Sequence, residues 1–110
     1  MAKDDYFVIA YRILKYLYAC FKAGERADVE MFGPDALGIN NGYWVNMLES
    51  LCSEGYITGV AFPSAVGSIH SAKVYDARIT QKGIEFLEDN SRMKKAAAFL
   101  KALKDTIPGV

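Results

Sequence analysis

Few side chains in this sequence of 110 residues have the types and spacing that acid–base or nucleophilic chemistry requires. The single histidine, His70, stands near Ser68 and Ser71, but no carboxylate is placed to orient its imidazole as a Ser–His–Asp triad requires. Cys20 and Cys52 lie in apolar helical patterns, where the expected role is that of a small buried hydrophobic side chain. Neither cysteine has a second Cys or His at metal-ligand spacing. We therefore expect no catalytic residue, no metal, no cofactor and no enzymatic activity.

Hydrogen bonding to DNA is a second kind of chemistry that the sequence offers. An Asn side chain can bond the edge of an adenine through two hydrogen bonds, which gives about 1–3 kcal/mol of discrimination between bases. The candidates for base contacts are Asn40, Asn41, Tyr43 and Asn46, and those for contacts to the DNA backbone are His70 and Lys73. The alternative is structural: Asn40 and Asn41 cap a helix, while Asn46 and His70 are simply exposed to solvent.

The distribution of charge along the chain weighs against DNA binding. The 13 basic and 13 acidic residues cancel, which excludes a wholly basic nucleic-acid binder. Residues 27–72 carry five acidic side chains and no Lys or Arg, whereas residues 73–110 carry eight basic and five acidic ones. Because neutralisation of phosphates supplies most non-specific DNA affinity, phosphate contacts must come from outside the acidic stretch. The available cations are Lys3, Arg12, Arg26, Lys73 and Arg78, and a dimer would add Arg92, Lys94 and Lys95.

Composition predicts a single domain that spans residues 1–110. With 52% hydrophobic and 13% aromatic residues, the chain is too apolar to be disordered, and its length suits one core. Asp4 and Asp5 oppose a secretory signal at the N-terminus. Residues 55–72 carry no Asp, Glu, Lys or Arg, but their Gly, Pro and Ser residues exclude a membrane helix. We expect a cytoplasmic protein that does not enter a membrane.

The first predicted element is a helix over residues 5–23, where apolar side chains recur at three- and four-residue steps. Asp4 or Asp5 is its expected N-cap, and Gly24 ends it in the left-handed conformation that Gly tolerates. The periodic pattern is weaker over residues 25–33, because apolar and acidic side chains alternate there over only a few positions. This alternation allows a short strand.

A short helix and a longer helix follow. Pro34 suits the first turn of a helix that runs through Leu37 and stops at Gly38. The longer helix begins near Asn40 or Asn41, and Gly55 closes it. Its predicted apolar face consists of Trp44, Val45, Leu48, Leu51 and Cys52. Two helices joined by a tight turn in this way predict a helix-turn-helix.

The spacing of the apolar residues then changes from the period of a helix to the two-residue period of a strand. Residues 56–62 and 73–79 are predicted to be strands, joined by a small-residue loop over residues 63–72. In the second strand we expect Tyr75, Ala77 and Ile79 on one face and Asp76 and Arg78 on the other. This pattern predicts a hairpin with a long connection.

Two helices complete the predicted order. Thr80 is expected to cap the first of them, and the last runs from Asn90 or Ser91 to about Thr106. The apolar stripe of the last helix consists of Met93, Ala96, Ala97, Leu100, Leu103 and Ile107. Two interpretations of this stripe remain open: it packs on the first helix, or it pairs with its copy in a homodimer.

Together these elements predict an α+β, mostly α fold. The predicted architecture is a winged helix-turn-helix with a two-stranded wing sheet and extra C-terminal helices. A three-stranded sheet is the alternative if residues 25–33 are extended. Three helices alone would leave one side of the core open, and the apolar face of the hairpin would cover it.

Two stretches of the chain resemble a known family. The segment Tyr43–Ile57, with Glu54-Gly55-Tyr56-Ile57 at its end, resembles the third helix and first wing strand of winged-helix proteins. The segment Ile79–Leu87, with Ile79-Thr80-Gln81-Lys82-Gly83, resembles the motif that follows their wing. Over residues 5–106 the chain is similar to the YjcQ-like family of small winged-helix proteins, found in Gram-positive bacteria and their phages. The resemblance implies a winged-helix fold and a phage-related context. Because the shared residues are packing and capping residues, no site residue is carried over.

Two hypotheses about function follow. The first is a DNA-binding, transcription-regulatory role, in which the longer helix contacts the major groove and the wing contacts the backbone. The second is a protein–protein interaction module, whose acidic helix-turn-helix face binds a partner. The usual role of the fold favours the first hypothesis, and the charge of residues 27–72 favours the second.

Overall fold

The computed structural model describes residues 2–63 and 71–106 of the chain. Over these residues the fold is α+β and mostly helical, with six helical segments and one antiparallel pair of strands. The helices are α1 (Tyr6–Ala23), α2 (Val29–Phe32), α3 (Pro34–Leu37), α4 (Asn41–Ser53), α5 (Gln81–Asp89) and α6 (Ser91–Thr106), and the strands are β1 (Ile57–Ala61) and β2 (Lys73–Ile79). Most of the predicted loop between the strands lies outside the described residues.

Helix α1 is the centre of the core and contacts α2, α4, α5, α6 and β2. The predicted caps are confirmed: the Asp5 carboxylate accepts a hydrogen bond from the Phe7 N–H at 2.9 Å, and Gly24 ends the helix at φ 70°. Its buried face supplies much of the apolar area that stabilises the fold. The fully buried residues of α1 are Val8, Ile9, Ala10, Ile13, Leu14 and Leu17.

The strand that residues 25–33 allowed is wrong, because part of this segment forms the one-turn helix α2. The Asp28 carboxylate caps that helix by accepting a hydrogen bond from the Glu30 N–H at 2.9 Å. The turn places Phe32 in the core, 6.4 Å from the Trp44 ring between centroids. The Trp44 indole N–H donates to the Phe32 carbonyl at 2.9 Å, so the backbone of α2 is tied to α4. An extended strand would not direct both the Phe32 side chain and the Phe32 carbonyl towards Trp44.

The sheet of the described residues has two strands, so the three-stranded alternative is wrong. Residues 25–28 lie beside β2, but a side chain takes the place of a strand ladder there. The Arg26 guanidinium donates to the Tyr75 carbonyl and lies 3.9 Å from the Asp76 carboxylate. One arginine therefore satisfies a backbone carbonyl of β2 beside this segment.

The hairpin itself is confirmed, with one irregularity. Thr58 pairs with Arg78, but the next pair joins Val60 to Val74, so three residues of β2 lie opposite Gly59. Gly59 has a φ of 87°, and a Cβ there would come within 1.7 Å of the Asp76 carbonyl oxygen. The bulge changes the direction of β2, which explains why Tyr75, predicted on the same face as Ala77 and Ile79, is 57% exposed while those two residues are buried.

The two segments that resemble winged-helix proteins, Tyr43–Ile57 and Ile79–Leu87, meet at the start of the sheet. The Thr80 hydroxyl accepts from the Gly83 N–H at 3.0 Å, which confirms the predicted cap of α5, and it donates to the Gly55 carbonyl at 2.6 Å. A Cβ at Gly83 would lie 2.2 Å from the Tyr56 carbonyl oxygen, so only glycine lets α5 approach this closely. The Tyr56 and Phe86 rings stack beside the junction at 4.3 Å between centroids. These residues therefore build the fold rather than a site.

Helix α6 packs along α1 over its first half. Met93 and Ala96 are fully buried, and the Arg92 guanidinium lies 5.0 Å from the centroid of the Phe7 ring. Packing on α1 is thus confirmed for the start of the predicted stripe. Leu100 and Leu103 further along are only half-buried, and Ile107 lies outside the described residues.

Within residues 2–63 and 71–106, no helix is both long enough and apolar enough to cross a membrane.

Candidate interaction surface on helices α2 to α4

The solvent-facing side chains of residues 28–54 form one surface, which we call the α2–α4 surface. Every charged side chain of this segment is a carboxylate, and each of them is exposed. The acidic residues are Asp28, Glu30, Asp35, Glu49 and Glu54. They extend over all three helices, although the first turn of α4 carries none, so the negative potential is spread over α2, α3 and the C-terminal half of α4.

One cation of α1, Arg12, reaches this surface and bonds to backbone carbonyls. The Arg12 guanidinium donates to the carbonyl of Ala36 at 3.0 Å and to that of Leu37 at 3.2 Å. These carbonyls end α3, where a cation is favoured by the unsatisfied backbone oxygens. Arg12, which the sequence offered as a phosphate contact, is therefore committed to closing α3 against α1.

Two apolar side chains of α2 are exposed beside the carboxylates. Val29 is 38% exposed and Met31 is 60% exposed, although the rest of the apolar residues in α2–α4 are mostly covered. A shallow depression of about 120 Å³ begins at Val29 and Glu30 and ends at Ala36. The α2–α4 surface thus combines adaptable apolar area with negative charge, a combination suited to a cationic amphipathic partner.

The structure separates the four predicted base contacts into two pairs. Asn40 is the N-cap of α4, with its Oδ1 accepting from the Tyr43 N–H at 2.8 Å. The Tyr43 hydroxyl donates to the Asp4 carbonyl at 2.6 Å, so it joins the N-terminal segment to α4. Asn41 and Asn46 are exposed on α4. Asn40 and Tyr43 therefore have structural roles, although Asn40 is itself exposed, and Asn41 and Asn46 present their side chains to solvent.

The environment of Tyr43 also changes its ionisation. Burial raises the pKa of its hydroxyl above the usual value, and the nearby carboxylates of Asp4 and Asp5 raise it further. The neutral hydroxyl is the form that donates to the Asp4 carbonyl. The shift is consistent with a structural hydrogen bond at this position.

Of the two residues predicted to contact the DNA backbone, the structure describes one. Lys73 is exposed at the start of β2, whereas His70 lies outside the described residues. The Arg78 guanidinium is 3.0 Å from the Asp76 carboxylate, which also lies near Arg26. Two of the cations that the sequence offered for phosphate contacts therefore share one carboxylate beside the sheet.

A cleft of about 500 Å³ lies between the end of α1 and the bulge of β2. Cys20, Phe21, Arg26, Asp76 and Arg78 are among its lining residues.

Both cysteines, which we expected to be buried, are half-buried, and burial raises the pKa of the Cys52 thiol. Within the described part of the chain, no three His, Cys, Asp or Glu side chains are grouped so that they could hold a metal ion.

Sequence reasoning missed the apolar part of the α2–α4 surface. The alternation of Val29 and Met31 with acidic residues allows a short strand, and it gives no sign that both side chains are exposed on a helical turn. Asp28 followed by a carboxylate two residues later was the available indication of a helix start. The role of Arg12 had no indication in the sequence, because its partners are 24 and 25 residues away.

Comparison with known proteins gives one match. The model of the YjcQ protein family matches residues 11–106 of the chain. No curated protein and no solved structure matches it.

Proposed function

The chain belongs to the YjcQ family, and from the geometry of its α2–α4 surface we propose that it is a winged-helix protein whose function is to bind a cationic protein partner. In this proposal α3 and α4 form the helix-turn-helix, and the β1–β2 hairpin is the wing. The bound partner covers the carboxylates and the exposed part of α2. The proposal assigns no catalytic step.

Two features support the winged-helix assignment. The element order, in which a long helix precedes α3, α4 and an antiparallel hairpin, is that of the winged helix-turn-helix. Residues 25–28 lie beside the outer edge of β2, between α1 and α2, where the sequence allowed a third strand. The Arg26 contact to the Tyr75 carbonyl replaces that strand.

The single observation that carries the proposal is the uniform sign of the exposed charge on the α2–α4 surface. A helix that enters the major groove brings its flanks close to phosphates, and each carboxylate there is repelled. Glu49 lies on the exposed side of α4, three residues after Asn46. The same carboxylates attract lysine and arginine side chains of a protein and orient its approach. The exposed Met31 supplies the apolar contact that such a partner needs.

DNA is a second candidate, in a transcription-regulatory role of a phage-related type. Asn41 and Asn46 favour it, because both are exposed on α4 and could reach adenine edges. A mobility shift with random-sequence DNA at low and moderate salt tests it. If DNA is the partner, Lys73→Ala weakens binding and lowers the salt slope by about one. Absence of binding at low salt rejects this candidate.

The main proposal is tested with a fluorescent amphipathic helical peptide that carries lysine and leucine side chains, followed by fluorescence anisotropy. The test variant is Glu30→Lys with Asp35→Lys, which reverses two charges of the α2–α4 surface. The control is Glu85→Lys with Glu88→Lys, which reverses two exposed charges on α5. We expect the test variant to bind the peptide about tenfold or more weakly, and the control to bind as the parent protein does. Equal loss in both variants would overturn the proposal, because the peptide would then follow net charge alone.

A further inference from the structure

The second half of α6 has apolar side chains that the rest of the molecule covers only in part. Among residues 97–104, none is buried, although the stripe that begins at Met93 and Ala96 continues through them. Phe99, Leu100 and Leu103 are each half-buried. Their helical positions lie within about 100° of one another, so they form one face. This face is wide enough to bind a partner.

The charge of α6 is opposite to that of the α2–α4 surface. Residues 91–106 carry five basic side chains and one acidic one. All five basic side chains are exposed: Arg92, Lys94, Lys95, Lys101 and Lys104. Lys101 and Lys104 lie on the same half of the helix as the uncovered apolar face. The second half of α6 is therefore a cationic amphipathic helix, the kind of partner that the proposed function requires.

Pairing of α6 with its own copy would bring like charges together. Each α6 would place Lys101 and Lys104 near the basic side chains of the other helix, which is unfavourable. The α2–α4 surface offers carboxylates and exposed apolar side chains at once. Resting on the proposed function, we infer that the partner is a second copy of this chain, whose α6 binds the α2–α4 surface of the first.

The inferred assembly is a closed dimer. Each copy has one α6 and one α2–α4 surface, so a two-fold axis generates the same contact twice. The loss of translational and rotational freedom on association occurs once although two contacts form. The closed pair is therefore more stable than a pair held by a single contact. Because the contact is largely between opposite charges near the surface, we expect salt to weaken it.

Analytical ultracentrifugation of charge-reversed full-length chains tests the inference. The first variant is Lys101→Glu with Lys104→Glu, and the second is Glu30→Lys with Asp35→Lys. We expect the parent chain to dimerise and each variant alone to be monomeric. An equal mixture of the two variants is expected to form a heterodimer, because the acidic α6 of one meets the basic surface of the other. Circular dichroism confirms that both variants are folded.

Two results would overturn the inference. A parent chain that stays monomeric at low salt shows that α6 does not bind a second copy. A dimer that survives Glu30→Lys with Asp35→Lys shows that α6 binds elsewhere. In either case retained binding of the lysine–leucine peptide at the α2–α4 surface leaves the proposed function standing, so the two failures are distinguishable.

Discussion

At the scale of single residues, polar side chains in this protein mostly hold segments together. The Arg12 guanidinium closes α3, the Arg26 guanidinium satisfies the edge of β2, and the Trp44 indole ties α4 to α2. Each bond joins segments at least 12 residues apart, and in each a side chain satisfies a backbone carbonyl. These contacts determine which side chains remain free to meet a partner.

Tyr43 gives a pH-dependent prediction at this scale. Its pKa is raised in the folded protein, so the folded chain keeps the proton at a pH where the unfolded chain loses it. The stability that it contributes is therefore complete below about pH 10 and declines as the pH rises through the folded value. Tyr43→Phe should cost about 0.5–1.5 kcal/mol at neutral pH, because the bond to the Asp4 carbonyl is lost.

Urea unfolding of both proteins at about pH 8 and about pH 11 measures this effect. The stability difference between parent and Tyr43→Phe should narrow at the higher pH. Burial also raises the pKa values of Tyr16 and Tyr56, but both residues are present in both proteins, so their contributions cancel. A difference that is unchanged between the two pH values would contradict the account of Tyr43.

At the scale of elements, the sequence predicted what local chemistry determines. The bounds of α1, α3 and α6, the caps Asp5, Asn40 and Thr80, and the hairpin follow from periodicity and capping residues. Segment 25–33 was ambiguous because four residues fit a period of two as well as a single helical turn. The core decided its conformation by burying Phe32. The bulge at Gly59 likewise depends on Asp76 across the sheet, which no local pattern shows.

The candidate site was predictable to a similar degree. The acidity of residues 27–72 is a property of the sequence, and it indicated the character of the surface. The cap at Asn40 was one of two alternatives that local chemistry allowed, whereas no local pattern indicated the role of Tyr43, because the Asp4 carbonyl is 39 residues away. The hydrogen bond of the Tyr43 hydroxyl is therefore a tertiary property.

Asn40 gives a prediction about the element that it caps. Asn40→Ala removes the acceptor for the Tyr43 N–H and should destabilise the protein by about 1 kcal/mol. Asn40→Asp keeps an oxygen acceptor at the N-terminus of α4, replacing the amide by a carboxylate, and should cost less. Chemical unfolding of the two variants measures the difference. Equal stability of Asn40→Ala and the parent chain would show that the cap contributes nothing to α4.

At the scale of the whole molecule, charge is segregated although the net charge is zero. The α2–α4 surface is acidic, α6 is basic, and each also has exposed or half-exposed apolar side chains. A protein that binds DNA through its helix-turn-helix would place its cations on that element. Residues 28–54 of this chain carry no Lys or Arg, whereas five of the 13 basic residues are on the last helix. This arrangement is the basis of our proposal that the α2–α4 surface binds protein.

The most direct test of that claim is a nuclear magnetic resonance titration of the backbone amides with the lysine–leucine peptide. The chain used carries Lys101→Ala and Lys104→Ala, so that self-association does not compete and does not return when the charges of the α2–α4 surface are reversed. We predict that the largest chemical-shift changes fall on α2 and α3, at Glu30, Met31 and Asp35, and disappear when Glu30→Lys and Asp35→Lys are added. Changes concentrated instead along the cleft between α1 and β2, at Arg26 and Asp76, would contradict the account.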